Sequence, residues 1–172
     1  MDGPTESDEE LLAATDKSVP LHSMDGIKSK AKVVGVYDGD SITIVMKYNN
    51  KLDKFKIRMT GYDAPEMRPA KTSKNKEAEV EQAKAAKEML KEKILDKIVM
   101  LHCHEFDKYG RLLGTVYLKE DESSKAAKKF EGESVPIKTP DDLFTLNVNQ
   151  WMIENAKGCY AYEGGTNKIF EE

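Results

Sequence analysis

The sequence predicts a domain of the α+β class, mainly β, and three observations carry that reading. Short β-rich runs with period-two alternation fill the stretch from about residue 30 to residue 62. One long segment of strong helix formers follows, near residues 77–96. Strand-like runs then return, before a shorter helical segment near residues 148–156.

Taken in order, "KAKVVGVYDGDSITIVMKY" holds two β-rich runs split by the turn signal "DGDS". In "DKFKIRMTGY", Phe55, Ile57 and Met59 alternate with Lys54, Lys56 and Arg58, so Arg58 falls on the face opposite the apolar set. Three strands in succession form a meander. From Glu77 to Asp96 the residues Val80, Ala83, Ala86 or Lys87, Leu90 and Ile94 recur at three- and four-residue steps, giving one apolar stripe. Early acids (Glu77, Glu79, Glu81) and late lysines (Lys91, Lys93, Lys97) suit the helix dipole. "IVMLHCHEF" and "RLLGTVYL" read as two more strands around the turn "DKYG". A second helix is expected over Val148–Ala156, with Gly158 as its stop. Three strands, helix, two strands and helix fit a five-stranded Greek-key barrel, the OB-fold, with two to three helices.

The domain organisation follows from composition. Residues 1–24 hold Asp2, Glu6, Asp8, Glu9, Glu10 and Asp16 with little apolar material, and read as an acidic disordered tail. A single domain is expected over residues 30–170, with a surface insertion at about 119–140.

The chain has 172 residues, with 27 Lys plus Arg against 31 Asp plus Glu, for a net charge of −4. Such a balance argues against coating nucleic acid non-specifically, which needs excess cation, but leaves room for a local basic cleft. No apolar run approaches the roughly 20 residues needed to span a bilayer, so no membrane partner is expected. The N-terminal stretch lacks the basic and apolar regions of a secretory signal, so an intracellular, cytoplasmic home is expected, with a virus as the other candidate. Cys103 and Cys159 are expected as free thiols. A monomer is expected.

Six residues could carry chemistry. Asp38 and Asp40 sit in "YDGDS", and Asp63 and Glu66 in "DAPE"; either pair alone reads as an ordinary polar turn. Arg58 leads into the second turn, and Arg111 follows "DKYG". Carboxylate oxygens suit a hard cation, a further carboxylate can accept a water proton, and arginines hold phosphate with paired hydrogen bonds. Together they are what phosphodiester hydrolysis asks for.

"VYDGDSI", "IRMTGYDAPE" and "DKYGRLLGTVYL" resemble the three signature segments of the staphylococcal nuclease-like (thermonuclease) family, in the family's order and with its Arg-x₄-Asp-x-Pro-Glu spacing. "NVNQWMIENAKGCYAY" resembles the family's next segment, so the likeness covers roughly residues 31–162. It implies an OB-fold nuclease that needs Ca²⁺ and cuts single- and double-stranded DNA and RNA with little sequence preference, breaking the bond to the 5′ oxygen to leave 3′-phosphate ends. Carried over by motif, Asp40 and Asp63 resemble the calcium carboxylates, and Ala64 the residue that ligates through its backbone carbonyl. Glu66 resembles the general base, and Arg58 and Arg111 the catalytic phosphate-binding arginines. Asp38 resembles a nearby acid behind the metal site, and Lys108, Tyr109 and Tyr160 resemble residues of the nucleotide pocket.

The sequence departs from that pattern in three places. The hairpin before "DKYGR" is short, the insertion at 119–140 has no counterpart in compact members, and the family's last helix is expected to be missing or reduced. An alternative function is a non-catalytic member of the same fold that binds nucleic acid or protein. Such a module would be expected to lose one or more of Asp40, Asp63, Glu66, Arg58 and Arg111, and all five are present. Outside the site, Trp151 is expected in the core and His102 and His104 as exposed strand residues. Lys71, Lys74 and Lys76 are expected to meet the phosphate backbone.

Overall fold

The computed structural model describes residues 6–69, 71–72, 74–120 and 143–162, with only the backbone described at residues 6 and 7. Helix α1 (Glu6–Ala13) lies in the acidic N-terminal segment. Strand β1 (Lys28–Asp38) pairs antiparallel with β2 (Ser41–Tyr48), and β2 with β3 (Lys51–Met59). The β2–β3 hairpin turns on Asn49 and Asn50, at φ 49° and 61°. Positive φ at both central residues is the turn whose twist matches the strands it joins, and asparagine tolerates it.

After the two-residue strand β4 (Tyr62–Asp63), helix α2 runs over Lys76–Ile94. Its N-cap is Asn75, whose side-chain oxygen accepts from the Ala78 amide at 3.3 Å. Strand β5 (Ile98–Phe106) pairs antiparallel with both β1 and β6 (Leu112–Lys119). Strand β6 then meets β3 in parallel, Ile57 opposite Leu112 and Met59 opposite Gly114. That pairing closes β1, β2, β3, β5 and β6 into a mixed barrel, the OB-fold expected from the element order. Gly114 is required there: a Cβ would sit 2.8 Å from Leu101 Cδ1 and 3.2 Å from Ile57 Cγ2.

Strand β7 (Phe144–Asn147) adds to the far half of β6, helix α3 follows over Val148–Asn155, and strand β8 (Tyr160–Ala161) pairs with β4. The insertion beyond residue 120 and the segment after residue 162 lie outside the described residues.

The barrel interior is filled by the inward set of the alternation, including Val33, Ile44, Ile57, Met59, Leu101, Leu112 and Val116. Helix α2 covers one end with Ala83, Ala86, Leu90 and Ile94. Leu90 and Ile94 are fully buried, each worth about 1.5–3 kcal/mol of apolar burial. Glu79, not Val80, continues that stripe; Val80 is one helical step, about 100°, off its axis and is half-buried. Met24, within the acidic segment, is also fully buried against this core. Trp151 is half-buried instead of enclosed, and Lys93 Nζ lies 4.6 Å from its ring centre. Among the described residues no helix is long and apolar enough to cross a membrane.

Candidate active site

Three chain segments that are far apart in sequence meet at one end of the barrel. The first is the β1–β2 turn with Asp38 and Asp40. The second is the end of β3 with Arg58, running into "DAPE" with Asp63 and Glu66. The third is the β5–β6 turn with Lys108, Tyr109 and Arg111. All eight residues line a single cleft of about 950 Å³.

Backbone and buried side chains lock the two acidic turns together. The Met59 amide donates to the Asp40 carbonyl at 2.8 Å. The Ala64 amide donates to Asp40 Oδ2 at 2.9 Å, which puts Ala64 directly against the Asp40 carboxylate. Tyr62 is 1% exposed, and its hydroxyl donates to the Gly39 carbonyl at 2.6 Å. Gly39 itself has no room for a side chain: a Cβ would sit 2.8 Å from Ala64 Cβ and 2.9 Å from Ala86 Cβ. The "DGD" glycine is thus a close-approach glycine that seats the turn on α2 and on the "DAPE" turn.

Asp40 and Asp63 are 6% and 7% exposed, and both carboxylates contact the guanidinium of Arg58. Arg58 Nη2 is 3.2 Å from Asp40 Oδ2 and also bonds Asp63 Oδ1, while Nη1 donates to the Met59 carbonyl at 2.7 Å. Two nearly buried carboxylates therefore converge on one cationic nitrogen, with Arg58 as the charge that permits their burial. Asp38 receives the Asp40 amide at 3.1 Å. Burial first, then Asp40's hydrogen bond and negative charge, push the Asp38 carboxyl up to about 7.

Arg111 is organised by Asp107, a residue the motif reading passed over. Asp107 Oδ1 accepts from the amides of Tyr109 and Arg111, each at 2.9 Å, and Oδ2 accepts from Arg111 Nε at 2.8 Å. Burial would raise the Asp107 carboxyl, but these bonds outweigh it and hold it below the ordinary value. Arg111 Nη1 also reaches Ser41 Oγ at 3.4 Å, which ties the third segment to the first. Tyr109 is exposed, with Lys108 Nζ at 5.1 Å and Arg111 Cζ at 5.6 Å from its ring centre.

The Tyr-x-Tyr segment forms the edge of the cleft. Strand β8 pairs Tyr160 with Asp63, and the Tyr162 amide donates to the Gly61 carbonyl at 2.9 Å. Tyr162 lines the cleft, whereas Tyr160 does not and has its hydroxyl buried. Burial first, then the charge of Asp63, push the Tyr160 hydroxyl up to about 12.

The cleft also takes in Thr60, His104 and Thr115. Thr115 Oγ1 is 3.2 Å from Thr60 Oγ1 and 3.0 Å from His104 Nε2. His104 is therefore part of the cleft wall and not simply an exposed strand residue. Its outward register on β5 was legible in the sequence; that β3 would bring Thr60 alongside was not. Asn149 carries no signal in the sequence beyond its place in the helix expected over Val148–Ala156. It is 4% exposed, and its amide bridges the barrel closure: Oδ1 accepts from Val116 N at 2.9 Å, and Nδ2 donates to the carbonyls of Thr60 and Gly114 at 2.8 and 3.1 Å. Lys71, Lys74 and Lys76 are exposed and do not line the cleft.

The donor set suits a hard divalent cation. Asp40 and Asp63 supply carboxylate oxygens that already share one cation, and the Ala64 backbone adjoins Asp40. Among the described residues, no group of three or more His, Cys, Asp or Glu side chains is arranged to hold a metal. A site here would thus need oxygens beyond its two carboxylates, from backbone, water or substrate.

No curated protein matches the chain. The family described as staphylococcal nuclease homologue matches residues 56–135. The match takes in two of the three motifs, "IRMTGYDAPE" and "DKYGRLLGTVYL", while "VYDGDSI" precedes it; its described residues run from the end of β3 through β6. The segment that carries Arg58, Asp63, Glu66 and Arg111 is thus similar to the staphylococcal nuclease homologue family over residues 56–135.

Proposed function

We propose that the protein is a Ca²⁺-dependent endonuclease that hydrolyses phosphodiester bonds of DNA and RNA with little sequence preference. The bond broken is the one to the 5′ oxygen, leaving a 3′-phosphate and a 5′-hydroxyl. One observation supports this above the others: Asp40, Asp63, Glu66, Arg58 and Arg111 all line one cleft of about 950 Å³.

Asp40, Asp63 and the Ala64 carbonyl would hold the cation. When bound it supplies neutralisation of a phosphate oxygen. The rest is done by the chain. Arg58 and Arg111 grip the phosphate from two sides, and their fixed charge stabilises the negative charge that builds on its equatorial oxygens. Glu66 accepts the proton of the attacking water. Tyr109 and Tyr162 offer ring faces on which a neighbouring base can stack, a contact indifferent to base identity. Asp107 sets the Arg111 fork before substrate arrives, and Tyr62 keeps the two acidic turns in register.

The test is digestion of plasmid and single-stranded DNA, and of an RNA, with millimolar Ca²⁺ and with a chelator. Cleavage in Ca²⁺ that the chelator abolishes, with 3′-phosphate termini, is expected. Folded protein that cuts none of the three in Ca²⁺ would refute the enzyme reading and leave a binding module. Glu66→Gln is expected to lower the rate by about 10²–10⁴ while leaving the fold intact.

A further inference from the structure

The charge of this chain is distributed against its average. On the outer surface of the barrel, the outward positions of β1 are Lys28, Lys30, Lys32 and Val34; those of β2 are Thr43, Val45 and Lys47; those of β3 are Leu52, Lys54 and Lys56. No carboxylate occupies any of these ten positions, in a chain with more acids than bases. Asp53 falls on the other register, opposite Met46, and pairs with Lys51 at 3.4 Å. The strand pairing makes the face continuous. Lys32, Val45 and Lys54 form one cross-strand row, and Thr43 lies beside Lys56.

This face runs into the cleft. Arg58 is the next outward residue of β3 after Lys54 and Lys56. At about 3.3 Å per residue, Lys56 and Lys54 stand roughly 7 and 13 Å from Arg58 along a straight line. Lys28 continues the positive field onto β5, where it pairs with His102. Burial first, then Lys28 and His104, hold the His102 ring below its ordinary value.

We propose that the lysine face of β1, β2 and β3 is a track for the phosphate backbone of a single-stranded nucleic acid, with Lys32, Lys47, Lys54 and Lys56 as its contacts. It carries the strand over the barrel and delivers it to Arg58. Lysines read phosphate and not base, and the exposed ring of Tyr37 near the end of β1 can stack on any base, so the track is blind to sequence. It adds length to the substrate and makes long strands bind better than short ones. The inference rests on the nucleic-acid reading of the cleft, but it concerns binding and is tested apart from cleavage.

The experiment measures fluorescence anisotropy of labelled oligothymidylates of about 4 and about 16 nucleotides, the span of OB-fold sites. Full-length protein is used with a chelator present, so that no strand is cut. The variants are Lys54→Gln/Lys56→Gln and Lys32→Gln/Lys47→Gln, all at exposed positions. For the long strand, each double variant is expected to weaken binding about tenfold or more at low salt. The slope of log K against log salt should fall in magnitude by about 1.4, roughly 0.7 for each lysine removed. Binding of the short strand should change less than twofold. Long-strand affinity and slope equal to those of the wild type in both variants would overturn the proposal and leave the lysines as a solvated face. Wild-type protein that binds the long strand with the lysine-dependent slope, yet cuts nothing in Ca²⁺, would uphold the track and refute the hydrolytic reading alone.

Discussion

Asn149 is the clearest place to perturb the architecture without touching a charge. Its side chain makes three hydrogen bonds, to Val116 N, the Thr60 carbonyl and the Gly114 carbonyl, all at the seam where β3 meets β6. Asn149→Ala takes the side-chain partner from all three. The Gly114 carbonyl keeps the Thr60 amide at 3.0 Å, so two groups bear the loss, Val116 N–H and the Thr60 carbonyl. A buried polar group left without its partner costs about 1–3 kcal/mol, so the expected destabilisation is about 4 kcal/mol. With a urea slope of about 2 kcal/mol/M, the unfolding midpoint should fall by about 2 M. Asn149→Asp sharpens the test. It preserves shape and the bond from Val116, but aims a carboxylate at two carbonyl oxygens, so it should be at least as damaging as alanine. The assay is equilibrium urea unfolding followed by fluorescence and circular dichroism. A loss below about 1 kcal/mol for Asn149→Ala, or an aspartate variant near wild type, would refute the claim that this amide holds the seam.

Three further outcomes are expected. Asp107 has a depressed folded-state value, so its stabilisation is present above its ordinary value of 3.8 and fades as pH falls through the folded value. Urea midpoints should show wild type ahead of Asp107→Asn at pH 7 and 5 by the same margin, with the gap closing below about pH 4; a gap that widens on acidification would contradict it. Gly39→Ala forces a methyl to within 2.8 Å of Ala64 and 2.9 Å of Ala86. Overpacking of this kind costs about 1–3 kcal/mol, and because it pries apart the two acidic turns, cleavage should fall by tenfold or more; an unchanged midpoint would show that the turn has slack. Cys103 and Cys159 are both buried, and burial pushes the Cys103 thiol up to about 11. A thiol reagent at pH 8 should therefore modify neither in native protein and both in urea, whereas rapid labelling of the native state would show that the packing around these thiols opens readily.

Much of the fold was legible because each barrel strand announces itself locally. Val33, Ile44, Ile57 and Leu101 obey a period of two that survives in the structure as the inward set. The "DGDS" turn and the α2 stripe were readable for the same reason. The candidate site residues sit at strand ends and in turns, so that barrel closure brings them to one cleft. Their joint identity came from three motifs in order, not from any one of them. What was illegible is long-range. Nothing in the sequence around Asn149 says that its amide will bridge Thr60 and Gly114, 89 and 35 residues away. Val80 looked like the better stripe residue than Glu79 because an apolar pattern assigns glutamate to solvent. Trp151 does pack against the core, as its size suggests, but α3 leaves it half-buried, where Lys93 shares the cover.

The two arginines show why this site uses guanidinium and not ammonium. Arg58 is fixed along one edge by the Met59 carbonyl and the two acids, and Arg111 by Asp107 and Ser41. A planar fork held at some of its five donors still has defined directions for the others, and both residues line the cleft toward which those directions can serve. A lysine ammonium is a point charge on a flexible stem, and could keep the charge without the direction. Arginine side-chain freedom is worth about 2 kcal/mol, and here the Asp and carbonyl contacts remove most of it during folding, before any substrate binds. The carboxylates around the arginines therefore do two separate things. Asp40 and Asp63 converge on Arg58 and, in the proposed function, would also hold a cation, whereas Asp107 holds Arg111. That division could not be read from the identity of the residues, since all three are aspartates in turns. It follows from which donors the fold brings to each oxygen: two backbone amides and an Nε–H at Asp107, against a converging pair of carboxylates at Asp40 and Asp63.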